Sequence, residues 1–262
     1  MSLTLFATLL RGVCAISVVT LSLFRFTSRA ARWWVIGQMA LAPRVLRRES
    51  GRAGSGLTFF KLCGSGTGEG FTPRPNWQVW AILAVWQDEA AATRGTTSGV
   101  WAKWRARAAA DWTLTLAPTS VRGQWAGVTP FAATPASDHT GPIAALTRAT
   151  VKPRHALRFW RHVPGISAAI GSDPNVAFKI GIGEVPLLHQ VTFSVWPDTT
   201  AMAEFARHDG PHARAIRAVR EGDWFNEELY ARFRVIGSTG TWDGAETRIV
   251  PSPQSVPERT AA

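Results

Sequence analysis

Tyrosine is almost missing from this sequence: Tyr230 stands alone against thirteen tryptophans. Lysine is scarce too, with only Lys61, Lys103, Lys152 and Lys179 among 29 basic residues. The two cysteines, Cys14 and Cys63, have no metal-ligand spacing and cannot make a disulfide framework in 262 residues, so a reduced cytoplasm is the default. No apolar run is long enough to cross a bilayer. Arg11 splits the N-terminal stretch, and its longer piece, Gly12 to Phe24, is 13 residues. A basic n-region is also missing, so the stretch does not read as a signal peptide. No nucleic-acid-binding motif is present, and no nucleic-acid partner is expected.

Glycine, by contrast, is concentrated. "FKLCGSGTGEGFTPRPN" holds Gly64, Gly66, Gly68 and Gly70. A dinucleotide fingerprint from Gly64 or Gly66 needs a third glycine where Glu69 or Phe71 stands, and a P-loop needs a glycine at Glu69 followed by Lys and Ser or Thr. Pro73 and Pro75 follow, so no helix starts there and no helix N-terminus is offered to phosphate. The run reads as a turn between strands. Its glycines suit a lid or a close ligand approach at a substrate channel lined by Gly64, Gly66 and Gly68.

Hydrophobic residues make up 46% of the chain, enough for a substantial core, and the formal net charge is +11. The arginines are mostly scattered, with one cluster at Arg44, Arg47, Arg48 and Arg52. A basic face on an anionic membrane surface fits that charge. The tryptophans read first as core and second as the lining of an apolar ligand cavity.

The chain also resembles itself. "AARWW" (30–34) returns as "ALRFW" (156–160), "VWAILAVWQDEAA" (79–91) as "HQVTFSVWPDTTA" (189–201), and "GQWAG" (123–127) as "GTWDG" (240–244), in the same order. Phe60-Lys61 likewise answers Phe178-Lys179. Each repeat predicts strand, helix, two strands, helical region and strand. The strands expected are Val18–Phe26, Leu57–Cys63, Val79–Trp86 and Trp112–Pro118, then Ile143–Val151, Val176–Ile182, His189–Trp196 and Arg232–Gly237. Helices are expected over Arg29–Leu46 and Arg154–Ile170. The order predicts an α+β protein of two tandem ferredoxin-like (βαββαβ) repeats, forming a dimeric-type α+β barrel within one chain. The predicted division is an extension over 1–13, a first repeat over 14–130, a linker over 131–140, a second repeat over 141–246 and a disordered tail over 247–262.

"VVTLSLFRF", "FKLCGSGTGEGFTP", "GPIAALTRATV", "FKIGIGEVPLLHQVTFSVWPD" and "HARAIRAVREGDWFNEELYARFRV" resemble the spheroidene monooxygenase family, the acyclic carotenoid 2-ketolases of purple bacteria. The likeness runs from about Val18 to about Gly244. It implies a haem (iron) oxygenase that introduces a C-2 keto group into spheroidene and related acyclic carotenoids, using O2 and electrons from reduced ferredoxin. It also implies a carotenoid substrate dissolved in the photosynthetic membrane, so a cytoplasmic protein held peripherally on that membrane is expected. A cofactor-free monooxygenase of the same fold, or a non-catalytic carrier of haem or an apolar ligand, are the alternatives.

Haem iron needs an axial ligand. Of six histidines, His139 lies in a polar linker, His155 reads as surface and His162 sits near a helix break. His212 follows Asp209 and Pro211, a helix start, and shares a stripe with Ala215, Ile216 and Val219. It is the candidate axial ligand, with His208 nearby and with Arg214 and Arg217 as propionate partners. His189, on the apolar face of a strand where the first repeat has Val79, is the reserve ligand or a substrate-channel residue. Cys63 ranks third and Tyr230 below it.

Overall fold

A computed structural model describes residues 17–134, 140–161, 176–207 and 222–249. In chain order these form β1 (Val18–Arg25), α1 (Arg29–Ser50), β2 (Leu57–Gly66), β3 (Pro75–Trp86), α2 (Glu89–Thr96), α3 (Gly99–Arg105), β4 (Ala110–Gly123), β5 (Ile143–Val151), β6 (Phe178–Gly183), β7 (His189–Trp196), α4 (Thr199–Arg207), β8 (Phe225–Gly240) and α5 (Ala245–Arg248). Residues 156–161 are also helical.

The strands close an antiparallel barrel in the order β1-β3-β2-β6-β7-β5-β8-β4, and β4 pairs back to β1. The first half supplies β4-β1-β3-β2 and the second half β8-β5-β7-β6, one order used twice. Repeated residues do the same work in both halves. Asp88 Oδ1 accepts from the Ala91 backbone N–H at 2.7 Å and so caps α2. Asp198 Oδ1 accepts from Ala201 at 2.8 Å and caps α4.

Side-chain alternation sorts the residues into two layers. Leu21 and Leu23 of β1, Leu83 and Val85 of β3, and Val191, Phe193 and Val195 of β7 fill the interior. An eight-stranded barrel is just wide enough to be filled by side chains. On β1 and β3 the outer face is buried as well, because Val35 and Leu46 of α1 and Trp101 and Trp104 of α3 cover Phe24, Ile82 and Trp86. That is why "AILAVW" reads without alternation. Two outward hydroxyls in "VVTLSLF" are used by buried indoles: Trp86 Nε1 donates to Thr20 at 2.9 Å and Trp101 Nε1 to Ser22 at 3.1 Å.

The strands expected over Ile143–Val151 and His189–Trp196 are found with those bounds. Others run longer than the sequence predicts: β4 reaches Gly123 and β8 covers Phe225–Gly240. Register shifts between Thr115 and Leu116 and between Pro118 and Ser120 interrupt the alternation, while pairing to neighbours continues the strand. Phe131, in the stretch predicted as a linker, is buried in the barrel interior with its ring 5.2 Å from that of Phe233.

The halves meet at two unequal seams. β4 and β8 pair from Trp112↔Gly240 to Gly123↔Leu229, whereas β2 and β6 pair only at Gly64↔Gly183 and Ser65↔Ile182.

Candidate active site

The glycine run lies at the short seam. β2 ends at Gly66, a turn follows and β3 starts at Pro75, so no helix succeeds it. Gly68 and Gly70 have φ of +58° and +90°. The Gly181 N–H donates to the Glu69 carbonyl at 2.7 Å, and the Ser65 hydroxyl to the Gly181 carbonyl at 2.8 Å. A Cβ on Gly70 would overlap the Gly181 carbonyl oxygen. The run therefore lets two backbones touch across the seam.

Beside that contact, on the outer surface, is a cavity of about 160 Å³. Gly64 and Gly66 border it, with Met39, Trp77, Trp80, Trp160 and Leu187; Gly68 does not. The indole N–H of Trp80 donates to the Trp77 carbonyl and that of Trp160 to the Leu187 carbonyl, each at 3.0 Å. These rings therefore offer the cavity mainly carbon.

A second cavity, about 370 Å³, lies over the outer face of β5, β7 and β8. Trp196, Met202 and Phe205 give it an apolar side, while Thr147, Thr192 and Ser194 give it hydroxyls. Tyr230, Arg122 and Arg232 also border it. The Tyr230 hydroxyl donates to Glu228 at 2.9 Å. The two cavities share a strand. Gln190 lines the first, and Thr192 and Ser194, the next outward residues of β7, line the second. Alternate residues of a strand are about 7 Å apart. The two cavities thus flank the outer face of β7, one apolar at the glycine seam and one more polar beneath α4.

His189 is one residue out of phase with these cavity-lining residues of β7. It shares the inward face with Val191 and Phe193 and lines neither cavity. It belongs instead to a charged cluster inside the barrel end. Arg148, 2% exposed, donates to Glu227 and lies 3.9 Å from Glu184. Glu184 also takes hydrogen bonds from Lys61 at 2.7 Å and from Trp125 Nε1 at 2.6 Å. His189 Nδ1 is buried without a hydrogen-bond partner, 4.0 Å from Glu184. Burial, helped by Arg148 and Lys61 and opposed by Glu184, lowers the pKa of His189 and keeps it neutral. Burial works against ionisation of Glu227 as well, but the N–H groups of Gly127 and Ala126, with Arg148, outweigh it and hold that carboxyl below its usual range.

These shifts set a pH dependence. The unfolded chain protonates His189 near its ordinary 6.5, but folded His189 resists, so stability falls as pH drops below 6.5. The Glu227 contribution holds above the ordinary carboxylate range and is lost as pH falls through its lowered value. His189→Gln should flatten the first loss, which is at most about 1.4 kcal/mol per pH unit, and leave the second. Melting temperatures of both proteins across pH check this; parallel profiles would remove His189 from the account.

Cys63 faces the interior, and burial pushes its thiol pKa far up, so it is a core residue rather than a thiolate ligand. His155 is half-buried, not on the open surface: it stacks on Trp224 at 6.2 Å and its Nε2 accepts from Arg154 at 3.1 Å. His139, His162, His208, His212, Arg214 and Arg217 lie outside the described residues. Among the described residues, no three His, Cys, Asp or Glu side chains converge on a metal position. The sequence pointed neither to the Arg148 cluster nor to the Thr192–Ser194 wall. Arg148 shares a strand face with Leu146, which alternation alone could have revealed.

An eight-stranded α+β barrel with cavities on its outer face defines the class. A solved structure of aldoxime dehydratase has the same fold, with a TM-score of 0.58 at 12% identity, over 90% of this chain and 89% of that one. No protein-family model matches the chain. The spheroidene monooxygenase of Rhodobacter capsulatus is 52% identical over 94% of this chain and 99% of its own length. That of Cereibacter sphaeroides is 50% identical over 87% and 69% respectively. The chain belongs to the spheroidene monooxygenase family of oxidoreductases.

Proposed function

We propose that the protein is a carotenoid monooxygenase that converts the C-2 methylene of spheroidene and related acyclic carotenoids to a ketone. The proposed reaction uses haem, O2 and electrons from reduced ferredoxin, and the barrel is read as two tandem ferredoxin-like units. The observation that carries the reading is the pair of cavities on the outer face of β7. A long polyene needs an apolar channel, and Trp77, Trp80, Trp160 and Leu187 line the cavity at the glycine seam. Oxidation needs a cofactor pocket beyond it. The cavity beneath α4 combines apolar Trp196, Met202 and Phe205 with Arg122 and Arg232, cations suited to propionates.

Among the described residues no histidine or cysteine lines that cavity, though Met202 and Tyr230 do. The elements on either side of the connection over 208–221, α4 and β8, both line the cavity, and the connection carries His208 and His212. On this reading His212 is the axial ligand, and Arg214 and Arg217 add cations. Bound haem would supply the O2 chemistry. The tryptophans would hold the polyene, Thr147, Thr192 and Ser194 would offer hydroxyls near the reacting end, and the seam glycines would let backbone border the entrance. Two successive hydroxylations at one carbon, followed by loss of water, give the ketone; each consumes one O2 and two electrons. The protein would work peripherally on the cytoplasmic face of a membrane; among the described residues no helix is long and apolar enough to cross one.

The test is turnover. Purified full-length protein with reduced ferredoxin and O2 should show a Soret band and convert an acyclic carotenoid to a product with two hydrogens replaced by one oxygen. A Soret band without product indicates a carrier. Product without a Soret band indicates cofactor-free chemistry. Either result overturns the reading.

A further inference from the structure

The outward side of α1 has no described protein against it. Positions 33, 37, 41 and 45 follow one another at four-residue spacing on that side. Trp33, Leu41 and Val45 are 70%, 54% and 46% exposed, and a Cβ on Gly37 would meet nothing within 4 Å. At 1.5 Å per residue the stripe is about 18 Å long. Arg29, Arg44, Arg47 and Arg48 are exposed on the same side, and Arg52 just beyond the helix is exposed too. The only acid of α1, Glu49, is half-buried. The opposite side carries Val35, Ala42 and Leu46 and packs on the barrel.

Single exposed apolar residues are ordinary on a protein surface. A tryptophan and two aliphatic residues in one stripe, among arginines and without an exposed carboxylate, form the pattern of a helix lying in a headgroup layer. We propose that α1 docks the protein onto an anionic lipid bilayer. Trp33, Leu41 and Val45 enter the boundary between headgroups and acyl chains, and Arg44, Arg47 and Arg48 meet lipid phosphates. This deepens the peripheral placement given under the proposed function, but it rests on α1 alone.

Charge argues against two other occupants. Residues 1–16 are apolar and lie outside the described part, yet they contain no Asp or Glu and so offer the arginines nothing. A second copy docking through the same face would set arginine against arginine.

Co-sedimentation of the full-length protein with vesicles tests the proposal. The protein should pellet with phosphatidylcholine vesicles that contain phosphatidylglycerol, stay in solution with phosphatidylcholine alone, and be released by high salt or carbonate. Arg44→Ser with Arg48→Ser should weaken binding about thirtyfold, taking about 1 kcal/mol per basic residue. Trp33→Ser with Leu41→Ser should weaken it at least about tenfold. Arg94→Ser with Lys103→Ser, the same charge loss at exposed sites on α2 and α3, should change it little. All three variants should keep their melting temperatures and their turnover of detergent-dispersed carotenoid. Loss of docking is thereby separated from misfolding and from failure of the proposed activity. Four results overturn the proposal: unchanged binding in both α1 variants, equal weakening in the control pair, release by detergent alone, or a soluble dimer that the Trp33 and Leu41 changes dissociate.

Discussion

Gly70→Ala is expected to force the barrel apart at its short seam. The residue has φ of +90°, where a side chain costs about 1–3 kcal/mol. The new methyl would also overlap the Gly181 carbonyl, and Gly181 offers no side chain that could swing aside. Only Gly64↔Gly183 and Ser65↔Ile182 pair at this seam. Further ties include the hydrogen bonds of Gly181 and Ser65, a Lys179–Glu69 ion pair at 2.8 Å and the Lys61–Glu184 pair at 2.7 Å. We expect a loss of about 3 kcal/mol or more, or a fall in melting temperature of about 10 °C. Gly68→Ala is the comparison. Its φ of +58° imposes similar backbone strain, but the nearest atom to the added Cβ is Thr72 Cγ2 at 3.7 Å. If Gly70→Ala melts no lower than Gly68→Ala, close approach across the seam is not what the glycine at 70 provides.

Gly70 also shows what the sequence does and does not disclose. The run of glycines and the failure of nucleotide spacings are visible in a dozen residues. The partner, Gly181, lies in the other half of the barrel, and no local pattern pairs the two. The same split recurs elsewhere. β5 and β7 are legible because β7 pairs on both sides without a register shift and β5 has one only at its end, between Thr150 and Val151. β4 and β8 are truncated in the sequence reading because bulges shift the alternation while the ladder continues. His189 is correctly placed on an inward face, and that face leads to the Arg148 cluster, whose Glu184 also borders the cavity at the glycine seam. Alternation puts Thr192 and Ser194 on the face opposite His189, but it reports the face of a strand and not what covers it. Only the packing of α4 makes that face a cavity wall.

His212→Ala is expected to purify without haem. The described walls of the cavity beneath α4 hold apolar side chains, the Met202 thioether, hydroxyls including that of Tyr230, and arginines but no imidazole or thiol. Cys63, the sulfur candidate, is sealed in the barrel interior with its thiol kept protonated by burial. The candidates that remain closest in sequence are His208 and His212, between α4 and β8, and the predicted helix start at Asp209-Gly210-Pro211 favours His212. A ligand carried on a helix is aimed more firmly than one on a loop, and its second ring nitrogen needs an acceptor to fix the ring. Truncation to alanine should abolish the Soret band while the far-ultraviolet spectrum and melting curve still report a folded barrel. Added imidazole should restore part of the band by filling the space left by the side chain. His208→Ala should keep the band. His189→Ala should keep it too, because that ring points into the barrel interior and lines neither cavity. Arg214→Ala with Arg217→Ala should bind haem more weakly without changing the band position, as loss of propionate partners would do. An unaltered band in His212→Ala would move the ligand elsewhere: to His208 if that variant turns pale, and to the barrel interior if His189→Ala does.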